Sequence, residues 1–435
     1  AVQQIETAPA GGCGVVGGER TGDCYGLVIR VFPYVFVLPL ELPVTSGYDL
    51  LYKITPEPNA NWDSAAQVPY AINNAADLND VAIGRVGYYV ETIDNNGNAF
   101  WVWATLKAPT TDLAKLGVPT DWTFDQQVFD LTVQSNKPGI PTLSGVSGGN
   151  MEFWPDCYVT GSNTIYDYDD DSNGSTDCFG SMQIHYGGQT IFAFNGWSAA
   201  NADDFGVGSQ PVAHPDWTFA ANVAQYAVKN VYVFVQPLDP QAETAGYQPV
   251  YALDIPSGAV NWDTAAQVPY SLNNTALLGG PISRYGYYVE LVSGGNFYWV
   301  WASMAALHPS AVKAGIPVDD VFDGAVNNLT IKTNHPGITP VTNSSGGKVE
   351  FWSNCYSVGA NNVYDYDDDT AGTDCYGSMQ LFSGTNTVFA LNAWSYGTTA
   401  VDIGLGNSPG PHPDWTFAAN AGNYSIRRMV VYVKQ

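Results

Sequence analysis

The chain has 435 residues, 45% of them hydrophobic and 13% aromatic, which is long enough for two or three domains with real cores and too apolar for wholesale disorder. Lys and Arg number 15 against 41 Asp and Glu, a formal charge of -26. Such a balance excludes nucleic acid and anionic membrane surfaces as partners, because both need a basic face that displaces counterions; cations are the natural partners.

Residues 1–33 form a Gly-rich N-terminal segment with its own cysteine pair, Cys13 and Cys24, and read as a cap or as an arm that docks on a neighbour. No signal peptide is evident, and Ala1 reads as a mature N-terminus left by cleavage. The most apolar run, GLVIRVFPYVFVLPL from Gly26, is broken by Arg30, Pro33 and Pro39, so strands are expected there and no membrane insertion. YVFVLPLE at Tyr34 then opens a first unit, 34–235; YVFVQPLD at Tyr232 joins it to a second, 236–435; MVVYVKQ at Met429 ends the chain. Each copy of this boundary strand either closes one body and leads into the next or, at a terminus, adds to a sheet edge of another molecule.

The two units are one sequence written twice. NWDSAAQVPYAINN (Asn61 onward) returns as NWDTAAQVPYSLNN (Asn261 onward), FWVWA (Phe100) as YWVWA (Tyr298), and HPDWTFAAN (His214) recurs unchanged at His412. Within each unit apolar residues alternate over short runs rich in Val, Tyr, Phe and Trp, as in YYVETI, FWVWATL, QTIFAFNGW and NVYVFV, punctuated by Gly, Asn, Pro and Asp. Period-two burial predicts an all-β protein of two tandem antiparallel β-sandwiches, jelly-roll-like. Only TTDLAKLGVP (Thr110) and PSAVKAGIP (Pro309) read as helix, each about two turns ended by Gly and Pro.

Each unit carries one acidic run, YDYDDDSNGSTDC from Tyr166 and YDYDDDTAGTDC from Tyr364. Cysteines bracket both: Cys157 with Cys178, and Cys355 with Cys375. No pair is a CxxC and no histidine stands at zinc-ligand spacing, so local disulfides and an oxidising, extracellular setting are expected. A crosslink around such a loop removes roughly 3 kcal/mol of entropy from the unfolded chain. A pre-ordered loop of carboxylates suits calcium, which takes six to eight oxygen ligands in loose geometry. The candidate ligands are Asp167, Asp169, Asp171, Asn173 and Asp177, and Asp365, Asp367, Asp369 and Asp374. D-x-D-x-N-G at Asp169–Gly174 resembles the opening of an EF-hand loop, but Gly180 stands where its closing Glu belongs. The bland alternative is a solvated acidic turn.

Sequons at Asn173, Asn273, Asn328, Asn343 and Asn423 are possible N-glycosylation sites, or chance triplets in an Asn-rich chain. Glu91 with Glu152, and Glu290 with Glu350 in the second unit, are carboxylate pairs that a polysaccharide hydrolase could use; acids on strands are more commonly outward-facing polar positions, so a non-enzyme is expected. Most tryptophans are expected in the core, with Trp197 and Trp394, beside small-residue loops, left to stack on sugar.

NWDTAAQVPY, YWVWA, NHPGI, VEFW, YDYDDD followed by YGSMQ, DIGLGN and HPDWTFAAN together resemble a module of about 200 residues found in secreted multidomain proteins of environmental bacteria, beside domains such as sialate O-acetylesterase. The resemblance covers both units. It implies a secreted setting and carries no esterase, since no such domain is present; the relatives' loop is similar to YDFGD followed by GYGSMQ, poorer in Asp and without the flanking cysteines. The expectation is therefore a secreted, calcium-binding, non-catalytic building block of a surface structure, filament or matrix that self-associates head to tail. The alternative is a lectin-like binder of extracellular polysaccharide.

Overall fold

A computed structural model of the chain describes residues 45–57, 65–117, 124–154, 181–195, 204–208, 225–239, 245–258, 265–293, 295–315, 322–352, 378–392, 402–407 and 421–435. The first unit contributes twelve strands: β1 (Asp49–Ile54), β2 (Ile72–Asn73), β3 (Ile83–Asp94), β4 (Ala99–Lys107), β5 (Phe124–Val128), β6 (Leu131–Ser135), β7 (Leu143–Val146), β8 (Gly149–Trp154), β9 (Ser181–Tyr186), β10 (Gln189–Asn195), β11 (Asp204–Val207) and β12 (Tyr226–Pro237). The second repeats them in order: β13 (Gln248–Asp254), β14 (Leu272–Asn273), β15 (Arg284–Ser293), β16 (Asn296–Ala305), β17 (Phe322–Val326), β18 (Leu329–Thr333), β19 (Val341–Ser344), β20 (Gly347–Trp352), β21 (Ser378–Ser383), β22 (Asn386–Asn392), β23 (Asp402–Leu405) and β24 (Ile426–Lys434).

Each unit is a seven-stranded sheet facing a five-stranded one, and the strand order is the same in both. The first unit runs β2-β1-β12-β3-β4-β6-β7 and β11-β10-β9-β8-β5; the second runs β14-β13-β24-β15-β16-β18-β19 and β23-β22-β21-β20-β17. Every described pairing is antiparallel, as the alternating pattern predicts. Tyr88, Val90, Val102 and Val233 from the larger sheet meet Met151, Phe153, Ile184 and Phe192 from the smaller in one core; the second unit has its own, with Tyr287, Val289, Val300 and Val431 against Val349, Phe351, Leu381 and Phe389.

The boundary strand of each unit lies in the middle of its larger sheet. β12 sits between β1 and β3, and β24 between β13 and β15. The copy at Tyr34 lies outside the described residues.

The two expected helices are shorter than the spacing suggested. Leu113–Leu116 and Ala311–Ala314 are single 3-10 turns, ended by Gly117 and Gly315 whose N–H groups bond back to Ala114 and Val312. Two or three apolar residues in such a segment fill one corner of a sandwich, and no longer apolar stripe exists to bury a second turn. Among the described residues no helix is long and apolar enough to cross a membrane.

One strand glycine in each larger sheet has a steric cause. A Cβ on Gly87 would lie 2.2 Å from Cη2 of Trp103, and on Gly286 2.4 Å from Cη2 of Trp301, so each indole lies across its neighbour's backbone. Gly286→Ala should therefore cost roughly 1–3 kcal/mol by overpacking, read as a lower urea midpoint. An unchanged midpoint would mean that the ring can swing aside freely.

Candidate functional site

The best-defined polar cluster is the joint between the two units, within the compact body Gly47–Gln435. Its first-unit side is the end where β4 stops. Lys107 N–H bonds to Phe129 O and Ala108 N–H to Gly84 O, which turns the chain out of the sheet and presents Lys107, Thr110 and Thr111 as a tip. Its second-unit side is the outer face of the larger sheet, where alternation places Glu290, Arg428, Tyr288 and Trp301 opposite the core-facing Val289, Met429, Tyr287 and Val300.

Glu290 is fully buried and sits at the centre. Its Oε2 accepts from Lys107 Nζ at 3.0 Å and from Tyr288 OH at 2.8 Å, and its Oε1 accepts from Arg428 Nη1 at 2.9 Å. Arg428, also fully buried, donates Nη2 to Ala108 O at 2.7 Å, and its Nε lies 3.7 Å from Asp254 Oδ1. Asp254 Oδ2 in turn accepts from Thr111 N at 2.9 Å and from both threonine hydroxyls. Burial alone would raise the Glu290 pKa, but Lys107 and Arg428 outweigh it and hold the carboxyl below its ordinary value of 4.5. Two apolar contacts flank the ions: Phe129 packs on Val292, Ile426 and Phe297, while Ala82 and Leu238 cover Ala252, Tyr288, Trp301 and Tyr432.

The matching face of the first unit keeps the carboxylate and loses the arginine, while Lys53, over the Tyr232 ring at 5.1 Å, stands where the second unit has Ala252. Glu91 stands where Glu290 does, Asn230 where Arg428 does and Thr55 where Asp254 does. Asn230 Nδ2 donates to Glu91 Oε1 at 2.7 Å and Thr55 Oγ1 donates to Asn230 Oδ1 at 2.8 Å, so a neutral amide and a hydroxyl replace the ion pair. At the corresponding end of the second unit, Ala305 stands for Lys107 and Asn327 for Phe129.

A second repeated cluster lies on the outer face of each five-stranded sheet. Asp125, Glu152, Gln183, Ala193 and Gly206 stand in one cross-strand row, and Asp323, Glu350, Gln380, Ala390 and Gly404 in the other, the same residues in the same register. Glu152 and Glu350 are 4% and 2% exposed, and among the described residues each has a basic neighbour, from different strands: His185 Nε2 lies 3.4 Å from Glu152, Lys348 Nζ 2.6 Å from Glu350. Gln183 and Gln380 donate Nε2 to Thr190 and Thr387 at 2.6 and 2.7 Å, and their Oε1 atoms have no hydrogen-bond partner among the described residues.

The carboxylates paired in sequence are not brought together. Glu91 and Glu290 point out of the seven-stranded sheets, Glu152 and Glu350 out of the five-stranded ones, each between core-facing neighbours. The members of each pair therefore stand on opposite outer faces of one sandwich and share no groove.

The proposed calcium ligands Asp167, Asp169, Asp171, Asn173, Asp177, Asp365, Asp367, Asp369 and Asp374 lie outside the described residues, as do the six cysteines, Trp197 and Trp394. Their points of departure are described. The first acidic run leaves β8 at Trp154 and returns in β9 at Ser181, and the Trp197 segment leaves β10 at Asn195 and returns in β11 at Asp204. These four residues are in register across the sheet, so both segments spring from one end of it; Trp352, Ser378, Asn392 and Asp402 repeat the arrangement. Among the described residues no group of three or more His, Cys, Asp or Glu could hold a metal ion. Asn273, Asn328, Asn343 and Asn423 are all exposed. Comparison with protein-family models and with curated proteins gives no match.

Proposed function

We propose that the chain is a secreted, calcium-binding, non-catalytic building block of an extracellular surface structure, filament or matrix, associating head to tail. The joint is the observation that supports this most directly. It is heterologous: the end of one copy of the repeat meets the outer sheet face of the other. A contact of this kind is not self-limiting by symmetry, and it leaves the matching end of the second unit unused; on the matching face of the first unit Tyr89, Trp103, Tyr232 and Phe234 are at most 8% exposed, so that face is already largely buried.

The unused end is more open than its counterpart. Ala108, Thr110, Thr111 and Phe129 are each at most 5% exposed in the joint, whereas Ala306 is half-buried and His308, Pro309 and Asn327 are exposed. Between molecules the contact would lack the ions of the joint, because Asn230, Thr55 and Ala305 replace Arg428, Asp254 and Lys107. It is then weaker than the contact within the chain, and assembly depends on concentration. Calcium belongs to this reading through the two bracketed YDYDDD runs, which suit a hard cation and would stiffen the sheet end they leave from.

The expected result is a mass in calcium, by light scattering, that rises with concentration to multiples of the monomer, with extended particles in negative stain that shorten in excess chelator. A monomer at every concentration in both buffers would sink the proposal.

A second reading, one shallow polysaccharide site per unit, is favoured by the common origin of the acidic run and the Trp197 or Trp394 segment at one sheet end in both units. Saturable binding in a glycan screen, abolished by Trp197→Ala with Trp394→Ala, would establish it.

A further inference from the structure

We infer that Asn273 and Asn343 carry N-linked glycans and that these cap the two edges of the second seven-stranded sheet. The inference rests on the secreted reading above, which takes the chain past a glycosylation machinery. Among the described strands β14 and β19 are the outermost members of that sheet, and Asn273 and Asn343 lie in them. An outermost strand offers unpaired N–H and C=O groups to any other chain, and proteins block such edges with bulk or charge.

Both asparagines present a free nucleophile. Asn273 is exposed, and its Oδ1 accepts from Thr275 N at 3.3 Å and Thr275 Oγ1 at 2.8 Å, leaving Nδ2 without a partner among the described residues. Asn343 is exposed and bonds through its backbone N–H, to Thr330 Oγ1 at 3.2 Å; its side chain makes no described bond. The adjacent Asn274 is the contrast, with Nδ2 donating to Asp80 O and Pro249 O, as are Asn74, Asn136 and Asn334, whose Nδ2 groups bond to backbone carbonyls.

The first unit shows that these acceptors arise by separate changes. At one edge Asn73 and Asn273 correspond, and Thr275 replaces Ala75; at the other Ser147 and Ser345 correspond, and Asn343 replaces Gly145. The left-handed backbone at 145 and 343, φ 59° and 56°, admits either Gly or Asn, so position 343 has room for an acceptor without strain. Two different halves of the triplet are thus completed at the two edges of one sheet, and at neither edge of the other.

In the reaction, Nδ2 loses a proton and bonds to the anomeric carbon of a sugar, while the bond from that carbon to the phosphate of a polyprenyl-linked oligosaccharide breaks and the phosphate leaves with its electron pair. The donor is a lipid-linked oligosaccharide, and no oxidant or reductant takes part. Capped edges in the second unit leave β2 and β7 of the first as the uncapped outermost members of the larger sheets among the described strands.

The test is peptide mass spectrometry on the chain isolated from its source cells, with two double variants expressed there. Glycan mass is expected on the Asn273 and Asn343 peptides and not on the Asn73 peptide. Thr275→Ala with Ser345→Ala should remove it, and Thr275→Ser with Ser345→Thr should keep it. The double alanine variant should also sediment as larger species at a concentration where the parent chain does not. Chain recovered outside the cell with Asn273 or Asn343 bare overturns the inference alone. Unchanged sedimentation overturns the capping role, and recovery only inside the cell overturns the secreted reading together with this one.

Discussion

Replacing Arg428 with Ala is expected to destabilise the Gly47–Gln435 body by about 3–5 kcal/mol, the usual loss when one partner of a buried ion pair is removed and the other stays. Glu290 would keep Lys107 and Tyr288, but the carbonyl of Ala108 would lose its donor, and Asp254 would keep only Arg427 of its two arginine neighbours among the described residues. The corresponding change in the first unit, Asn230→Ala, removes neutral hydrogen bonds at a partly exposed site and should cost nearer 1 kcal/mol. Urea titration of the two variants measures the contrast, and equal losses would mean that the cluster contributes no more than its neutral counterpart. The pH dependence follows from the depressed Glu290 pKa. Stabilisation by a carboxyl held low is fully present above its ordinary 4.5 and disappears as pH falls through the lower folded-state value. Stability of the parent chain should therefore fall in acid below about pH 4.5, and Glu290→Gln should flatten that part of the curve.

Trp301→Ala should cost a similar amount, about 3–5 kcal/mol. The indole is 1% exposed, meets Tyr247 and Tyr432 edge-on at 5.3 and 5.4 Å between ring centres, and lies under Ala82 and Leu238 of the first unit. Its removal opens a cavity in the joint instead of inside either sandwich. The expected signature in calorimetry is the splitting of one unfolding transition into two, the second unit melting first. A single transition at an unchanged temperature would show that the joint contributes nothing to cooperativity.

The sandwiches were legible in the sequence because one face of each strand meets a core. FWVWATL and NVYVFV are β4 and the middle of β12, with Val102, Ala104, Val231 and Val233 in the core, and with Trp103, Thr105, Tyr232 and Phe234 on the other face buried as well. The short corner turns resemble helix starts, since two apolar residues three apart fit one 3-10 turn as well as the first turn of an α-helix. The joint is not legible in either copy taken alone. Arg428 and Ala108 meet across 320 residues, and the arginine sits in a strand where its pattern position marks it as solvent-facing. A usable signal did exist in the comparison of the copies: Thr55 against Asp254, Asn230 against Arg428, and Lys107 against Ala305 are charge differences between otherwise matched segments. The buried Glu152 row was announced in the opposite way, by identity of the copies at outward positions.

The place of β12 between β1 and β3 has a bearing on how the molecule is made. A ribosome delivers β1 early and β12 some 180 residues later, so the larger sheet lacks an interior strand until the unit's last residues emerge. Contacts of such long sequence separation form slowly. The nascent unit therefore stays open through most of its synthesis, a state suited to threading through an export channel. Once Pro237 is out, the first sandwich can close and offer a finished surface to the second while that one is still being built.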